Sequence, residues 1–90
     1  MQPREAVVEL RQRFELLLVN PPRAVSPSEE LADVINSLEF AELLDWIDYL
    51  IEDATGEPFY TPEDAVLSFV TLGDVLVYVE SICGSRLRTG

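Results

Sequence analysis

The chain has no histidine and no lysine, and its cations are six arginines. Without His or Lys there is no base to activate a serine, so a Ser-His or Ser-Lys nucleophile is excluded. The one cysteine, Cys83, excludes an internal disulfide and a cysteine-built zinc cluster. With neither His nor Lys to lower its pKa, Cys83 reads as a small apolar residue late in the last helix. No apolar run approaches the ~20 residues of a membrane-spanning helix. No leading segment shows the basic, apolar and small-residue succession of a secretory leader, so a cytoplasmic protein is expected. Residues 24–85 contain no basic side chain at all.

What the chain has instead is acid. Seventeen Asp and Glu side chains leave a net charge of −11. That charge repels nucleic acid and anionic lipid, whose recognition needs clustered Arg and Lys, and it favours basic protein surfaces as partners. Solubility alone is the plainer reading of the same acid. Ninety residues, 48% of them apolar, suit one domain with a single small core, spanning 1–90.

The apolar spacing is helical throughout. Val7, Leu10, Phe14, Leu17 and Leu18 mark a first helix over 3–19, stopped by Asn20-Pro21-Pro22. Residues 20–36 form a long connection, of a length that is uncommon in compact domains and often functional. Inside it, Ser26-Pro27-Ser28-Glu29 reads as a capping box with proline at the first helical position, opening a helical turn through Leu31. A second helix starts at Asn36 or Ser37, with Phe40, Leu43, Leu44, Ile47, Leu50, Ile51 and Ala54 in one stripe, and ends at Gly56 and Pro58. Thr61-Pro62-Glu63-Asp64 opens a short third helix to Ser68. Thr71-Leu72-Gly73-Asp74 caps a fourth, with Val75, Leu76, Val79 and Ile82 inward and Gly84 at its close. The β-branched run at 75–79 has strand propensity, but the cap before it and the lack of a partner strand favour helix. Residues 85–90 read as a polar, flexible tail. The expectation is an all-α bundle of three main helices and one short third helix, with a long first loop.

The second helix carries the chemistry. Glu42, Asp45, Asp48 and Glu52 lie opposite its apolar stripe, with Glu39 and Asp53 at one flank. Like charges at such spacing weaken an isolated helix by a few tenths of a kcal/mol per pair. Leu38 and Tyr49 fall among these carboxylates and Trp46 sits near the edge, a combination that suits a docking face better than scattered exposed apolar residues. A metal site from Glu39, Glu42 and Asp45 lacks the spacing of a calcium loop, and none is expected.

Ser37 stands at the start of this helix, where a hydroxyl is most often a cap. Asn36 can serve as the cap instead, with Glu39 as its partner three residues on. The Ser37 hydroxyl would then face solvent at the positive end of the helix dipole, beside unpaired backbone N–H groups. That position suits a serine carrying a phosphodiester.

With Asn36-Ser37-Leu38 opening an acidic helix after a long loop, the chain resembles an acyl carrier protein or a peptidyl carrier of the same superfamily. The resemblance covers nearly the whole length. It continues through Gly56-Glu57-Pro58-Phe59, Thr71-Leu72-Gly73-Asp74-Val75 and Tyr78-Val79-Glu80. It implies a four-helix acyl-carrier-like bundle that catalyses nothing itself. It further implies that a phosphopantetheinyl transferase attaches 4′-phosphopantetheine from coenzyme A to Ser37, flanked by Asn36 and Leu38. The arm would hold an acyl or aminoacyl group as a thioester. By the resemblance, loading and synthase enzymes with basic patches would read Leu38, Glu42 and Asp48; the helix face itself adds Glu39, Asp45 and Tyr49 to the expected docking surface. The length resembles that of a discrete, monomeric carrier in polyketide, fatty-acid-like or nonribosomal peptide synthesis; arginine without lysine is odd for a housekeeping fatty-acid carrier and points to a specialised pathway, such as polyketide or nonribosomal peptide synthesis, in a GC-rich bacterium.

The chain departs from the family pattern at Asn36, which stands where an acid is usual, and in a stretch from Ser37 to Gly56 about one turn longer than the family's. Asp45 and Tyr49 also occupy positions where the family has an apolar residue and an acid, respectively. Asn36 sustains an alternative, a carrier-like scaffold or regulatory protein that is never primed.

Overall fold

In the computed structural model, which describes residues 3–88, five α-helices follow one another along the chain. They are α1 (Pro3–Arg13), α2 (Leu31–Val34), α3 (Ser37–Thr55), α4 (Glu63–Ser68) and α5 (Leu72–Arg88), and a π-helical turn, Phe14–Leu18, prolongs α1. The described residues form no strand; one isolated antiparallel bridge joins Glu30 to Thr71. The chain is therefore all-α. α1 packs on α5, and both pack on α3. Their shared interior is one apolar cluster, in which Leu10, Phe14, Leu43, Ile47, Leu50, Ile51, Val75 and Val79 are fully buried. No side-chain polar atom is buried without a hydrogen-bond partner among the described residues, as a tight small core requires. No described helix is long and apolar enough to cross a membrane.

Local chemistry sets the helix bounds. Asn36 and Glu39 start α3, and Gly56 ends it in the left-handed conformation at φ 76°, donating its N–H to the Glu52 carbonyl. Only glycine takes that backbone at little cost. Thr71 and Asp74 open α5 reciprocally: the Asp74 N–H donates to Thr71 Oγ1 at 3.2 Å, and the Asp74 carboxylate accepts the Thr71 N–H at 2.9 Å.

The structure corrects the sequence reading at four places. Leu17 is exposed, not inward. The π turn closes the Val19 N–H on the Phe14 carbonyl, five residues back, so Phe14, Leu18 and Val19 face the core while Leu16 and Leu17 swing outward. Ser26 to Glu29 form a turn rather than a helix start; the helical turn begins at Leu31 instead of ending there. The Glu29 carboxylate still reaches back to the Ser26 N–H at 2.7 Å. Long-range backbone bonds hold the segment open: Gly73 N–H to the Pro27 carbonyl at 2.8 Å, Leu72 N–H to Glu29 at 3.1 Å, and Leu31 N–H to Val70 at 2.9 Å. Finally, Gly84 does not close the last helix and residues 85–88 are not a tail, because α5 continues to Arg88. Cys83, fully buried as expected, helps fasten that last stretch to the core. Residues 89 and 90 of the expected tail lie outside the described part.

The long connection is thus pinned along much of its length. At Val25, itself buried, Glu15 accepts the backbone N–H at 2.6 Å and Arg11 donates to the carbonyl at 2.8 Å. Arg11 and Glu15 also pair with each other at 3.5 Å. The Asn20–Pro21 peptide bond upstream is cis.

Candidate functional site

Ser37 is the first residue of α3 and is exposed. Its hydroxyl is not consumed by the helix cap. Asn36 Oδ1 accepts the Glu39 N–H at 2.8 Å, and Glu39 Oε1 accepts the Asn36 N–H at 2.9 Å, completing a capping box. The N–H groups of Ser37 and Leu38 begin the helix and have no intrahelical acceptor. A negatively charged group attached at Ser37 would meet donors and the positive end of the dipole.

An apolar crevice of about 190 Å³ opens beside Ser37, walled by Leu31, Ala32, Ile35, Asn36, Phe40 and Phe69. Its floor is core: Leu31, Ile35 and Phe69 are buried. Phe69 is held edge-on against Tyr78, ring centroids 5.3 Å apart, and Tyr78 in turn lies 6.4 Å from Phe59. No charged residue lines the crevice. Phe40 belonged to the apolar stripe read from the sequence, but Phe69 was not foreseen here. It lies in the link between α4 and α5, where no periodicity marks it.

Leu38, one residue on, is 81% exposed. Glu42 and Asp45 are exposed on the following turns, as are Glu52 and Asp53 beyond them. The other residues expected on this face are engaged within the molecule. Glu39 closes the capping box. Asp48 is half-buried and accepts both the Thr61 N–H, at 2.8 Å, and the Thr61 hydroxyl, at 2.6 Å, tying the link after α3 back to the helix. Asp48 is therefore not part of an open solvent face. Tyr49 is 55% exposed and lies under the Arg13 guanidinium, 5.8 Å from the ring centroid. Trp46 is half-buried against the core. Nearest Ser37, the open part of the face is Leu38, Glu42 and Asp45.

Three of the arginines pair with acids away from that face. Arg11 faces Glu15, Arg13 faces Glu9 at 3.0 Å, and Arg23 faces Glu29 at 2.8 Å. The Arg23 hydrogen bonds, helped by the Ser26 N–H, hold the Glu29 carboxyl below the usual carboxylate range. Among the described residues no group of three or more acidic, Cys or His side chains is placed to hold a metal ion. The arrangement can present an attached group at Ser37, cover its first atoms with an apolar wall, and offer acid to a partner. It holds no paired nucleophile and base.

Set against known protein families, characterised proteins and solved structures, the chain matches none.

Proposed function

We propose that the chain is a carrier protein of the acyl-carrier or peptidyl-carrier kind. A transferase attaches 4′-phosphopantetheine from coenzyme A to Ser37, and the arm carries acyl or aminoacyl groups as thioesters between partner enzymes. The observation that carries this reading is the division of labour at the start of α3. Asn36 and Glu39 complete the cap, so the exposed Ser37 hydroxyl is left for another use. Supporting it are the order of helices around a long pinned loop, the exposed Leu38, and the exposed acid of Glu42 and Asp45. The serine needs no base of its own, because the transferase supplies it. The hydroxyl attacks the β-phosphate of coenzyme A, the P–O bond to the nucleotide breaks, and 3′,5′-adenosine bisphosphate leaves. In this reading the four-helix carrier bundle corresponds to α1, α3, α4 and α5, with α2 as a helical turn in the first loop.

The test is intact mass after incubation with coenzyme A, magnesium and a broad-specificity phosphopantetheinyl transferase, with Ser37→Ala alongside. A phosphopantetheine-sized gain in the parent alone is expected. No gain with any transferase, including one from the same organism, would sink the carrier reading. It would favour the second reading, an unprimed carrier-like scaffold. Asn36 is the observation behind that alternative: its amide is neutral and its oxygen is already bonded to the Glu39 N–H, so the side chain before the serine offers a transferase no negative charge of its own.

A further inference from the structure

Away from Ser37, two groups of apolar side chains stand exposed. Val8, Leu16 and Leu17 lie on α1 and the π turn, among the Arg13–Glu9 and Arg11–Glu15 pairs. Charge there is mixed and selects no partner. The second group surrounds the junction of α4 and α5, where Leu67 is 78% exposed, Val70 51% and Val77 69%. A shallow groove of about 520 Å³ runs along this junction, lined by Ser68, Phe69, Asp74, Val77 and Ser81 among others. Asp74, Val77 and Ser81 follow one another at helical spacing, so they share one face of α5. Phe69 also walls the crevice at Ser37, so groove and crevice meet across one ring.

Among the described residues, the one charged residue lining the groove is Asp74. Asp74 accepts the N–H groups of Val70 and Thr71, and these bonds, the Thr71 one foremost, hold its carboxyl below the ordinary range. Glu80, outside the groove lining, is exposed one turn beyond Val77, and residues 24–85 carry no basic side chain. A largely apolar strip with acid at Asp74 and again at Glu80 fits an apolar strip edged by base. A second copy of the chain is a poor occupant, since each copy brings a net charge of −11.

We propose that the α4–α5 groove is a second docking surface whose occupant is a basic amphipathic helix of a partner protein. The helix lays its apolar stripe over Val77 and aims Lys or Arg side chains at Asp74 and Glu80, the helix-in-groove mode of recognition. This surface works whether or not Ser37 is modified.

The experiment titrates a synthetic helical peptide, with Leu at i, i+3, i+4 and i+7 and Lys elsewhere, into the isotopically labelled full chain. A peptide with Glu in place of Lys is the control. Amide shifts are expected from Ser68 through Ser81, lost with the Glu peptide. Val77→Arg should weaken binding at least tenfold, Val77→Ser about threefold, and Val8→Arg not at all. Val77 is exposed, so both of its variants should melt like the parent; should Val77→Arg not fold, Val77→Ser decides. Shifts confined to α3, equal binding of the Glu peptide, no binding, or unchanged affinity in the Val77 variants would each overturn the proposal.

Discussion

Replacing Asn36 by Ala removes the oxygen that accepts the Glu39 N–H at 2.8 Å. Loss of an N-cap side chain costs about 0.5–2 kcal/mol, typically ~1. The Glu39 carboxylate can still accept the backbone N–H of residue 36, a bond of 2.9 Å in the parent, so half of the box survives. The expected loss is therefore about 1 kcal/mol, which lowers the melting temperature of a domain this size by roughly 4–8 °C. Ser37→Ala is different. Its hydroxyl takes no part in the cap, it is exposed, and Ala is the best helix former at that position. Its effect should stay within about 0.5 kcal/mol. Urea melts of the unmodified chain, followed by Trp46 fluorescence and far-ultraviolet circular dichroism, measure both, with an unchanged m-value showing that stability alone has moved. Glu39→Ala completes a cycle in which the double variant should lose less than the sum of the singles. If Ser37→Ala is as costly as Asn36→Ala, the hydroxyl is a cap, and the argument that it stands free for attachment is wrong.

Asp48→Ala should cost about 1–3 kcal/mol in chemical melts, because a half-buried carboxylate accepts two hydrogen bonds from Thr61. Glu42→Lys and Asp45→Lys should leave stability near that of the parent and weaken a loading enzyme's affinity; an equally harmless Asp48→Ala would refute the tie to Thr61. Gly73→Ala should destabilise, although Gly-to-Ala in a helix normally gains up to ~1 kcal/mol. The added Cβ would stand 3.0 Å from the Pro27 carbonyl oxygen, which the Gly73 N–H also binds, and a gain in melting temperature would show that the loop yields. Glu29 and Asp74 have carboxyl pKa values held below their ordinary 4.5 and 3.8. Their stabilisation is complete above those values and is lost as pH falls through the lower, folded ones. A pH series of melts should therefore drop below about pH 4, and the acid limb of Asp74→Asn should be shallower; an identical limb would remove Asp74 from the account.

What could be read from the sequence was what neighbours in sequence decide. The bounds of α3 follow from Asn36, Glu39 and Gly56, and its buried stripe follows from spacing alone. The β-branched run at 75–79 is helical because a cap precedes it and no strand lies beside it. What was hidden depends on distant chain. Asp48 and Thr61 are separated by thirteen positions, and Arg13 reaches Tyr49 across two helices. The turn at Ser26 carries a sound helix-start pattern that bonds from Leu72 and Gly73 override. Gly84 was read as a stop, but burial of Cys83 outweighs the ~1 kcal/mol that glycine costs a helix. Leu17 misled because one wide turn shifts the inward register, and nothing in the apolar spacing announces it.

The connection between the π turn and α2 has no regular structure, yet it does not behave as a leash. Val25 is gripped through both of its backbone groups, and Pro27, Glu29 and Leu31 are stitched to the start of α5. The segment is better regarded as a strut joining the end of the first helix to the beginning of the last. The amides of Val25 and Leu31, both hydrogen-bonded, should exchange with solvent more slowly than the unbonded amides of the same segment. Residues 20–22 carry no such tie, so an inserted tag or a protease should find the chain there without disturbing the serine it leads to.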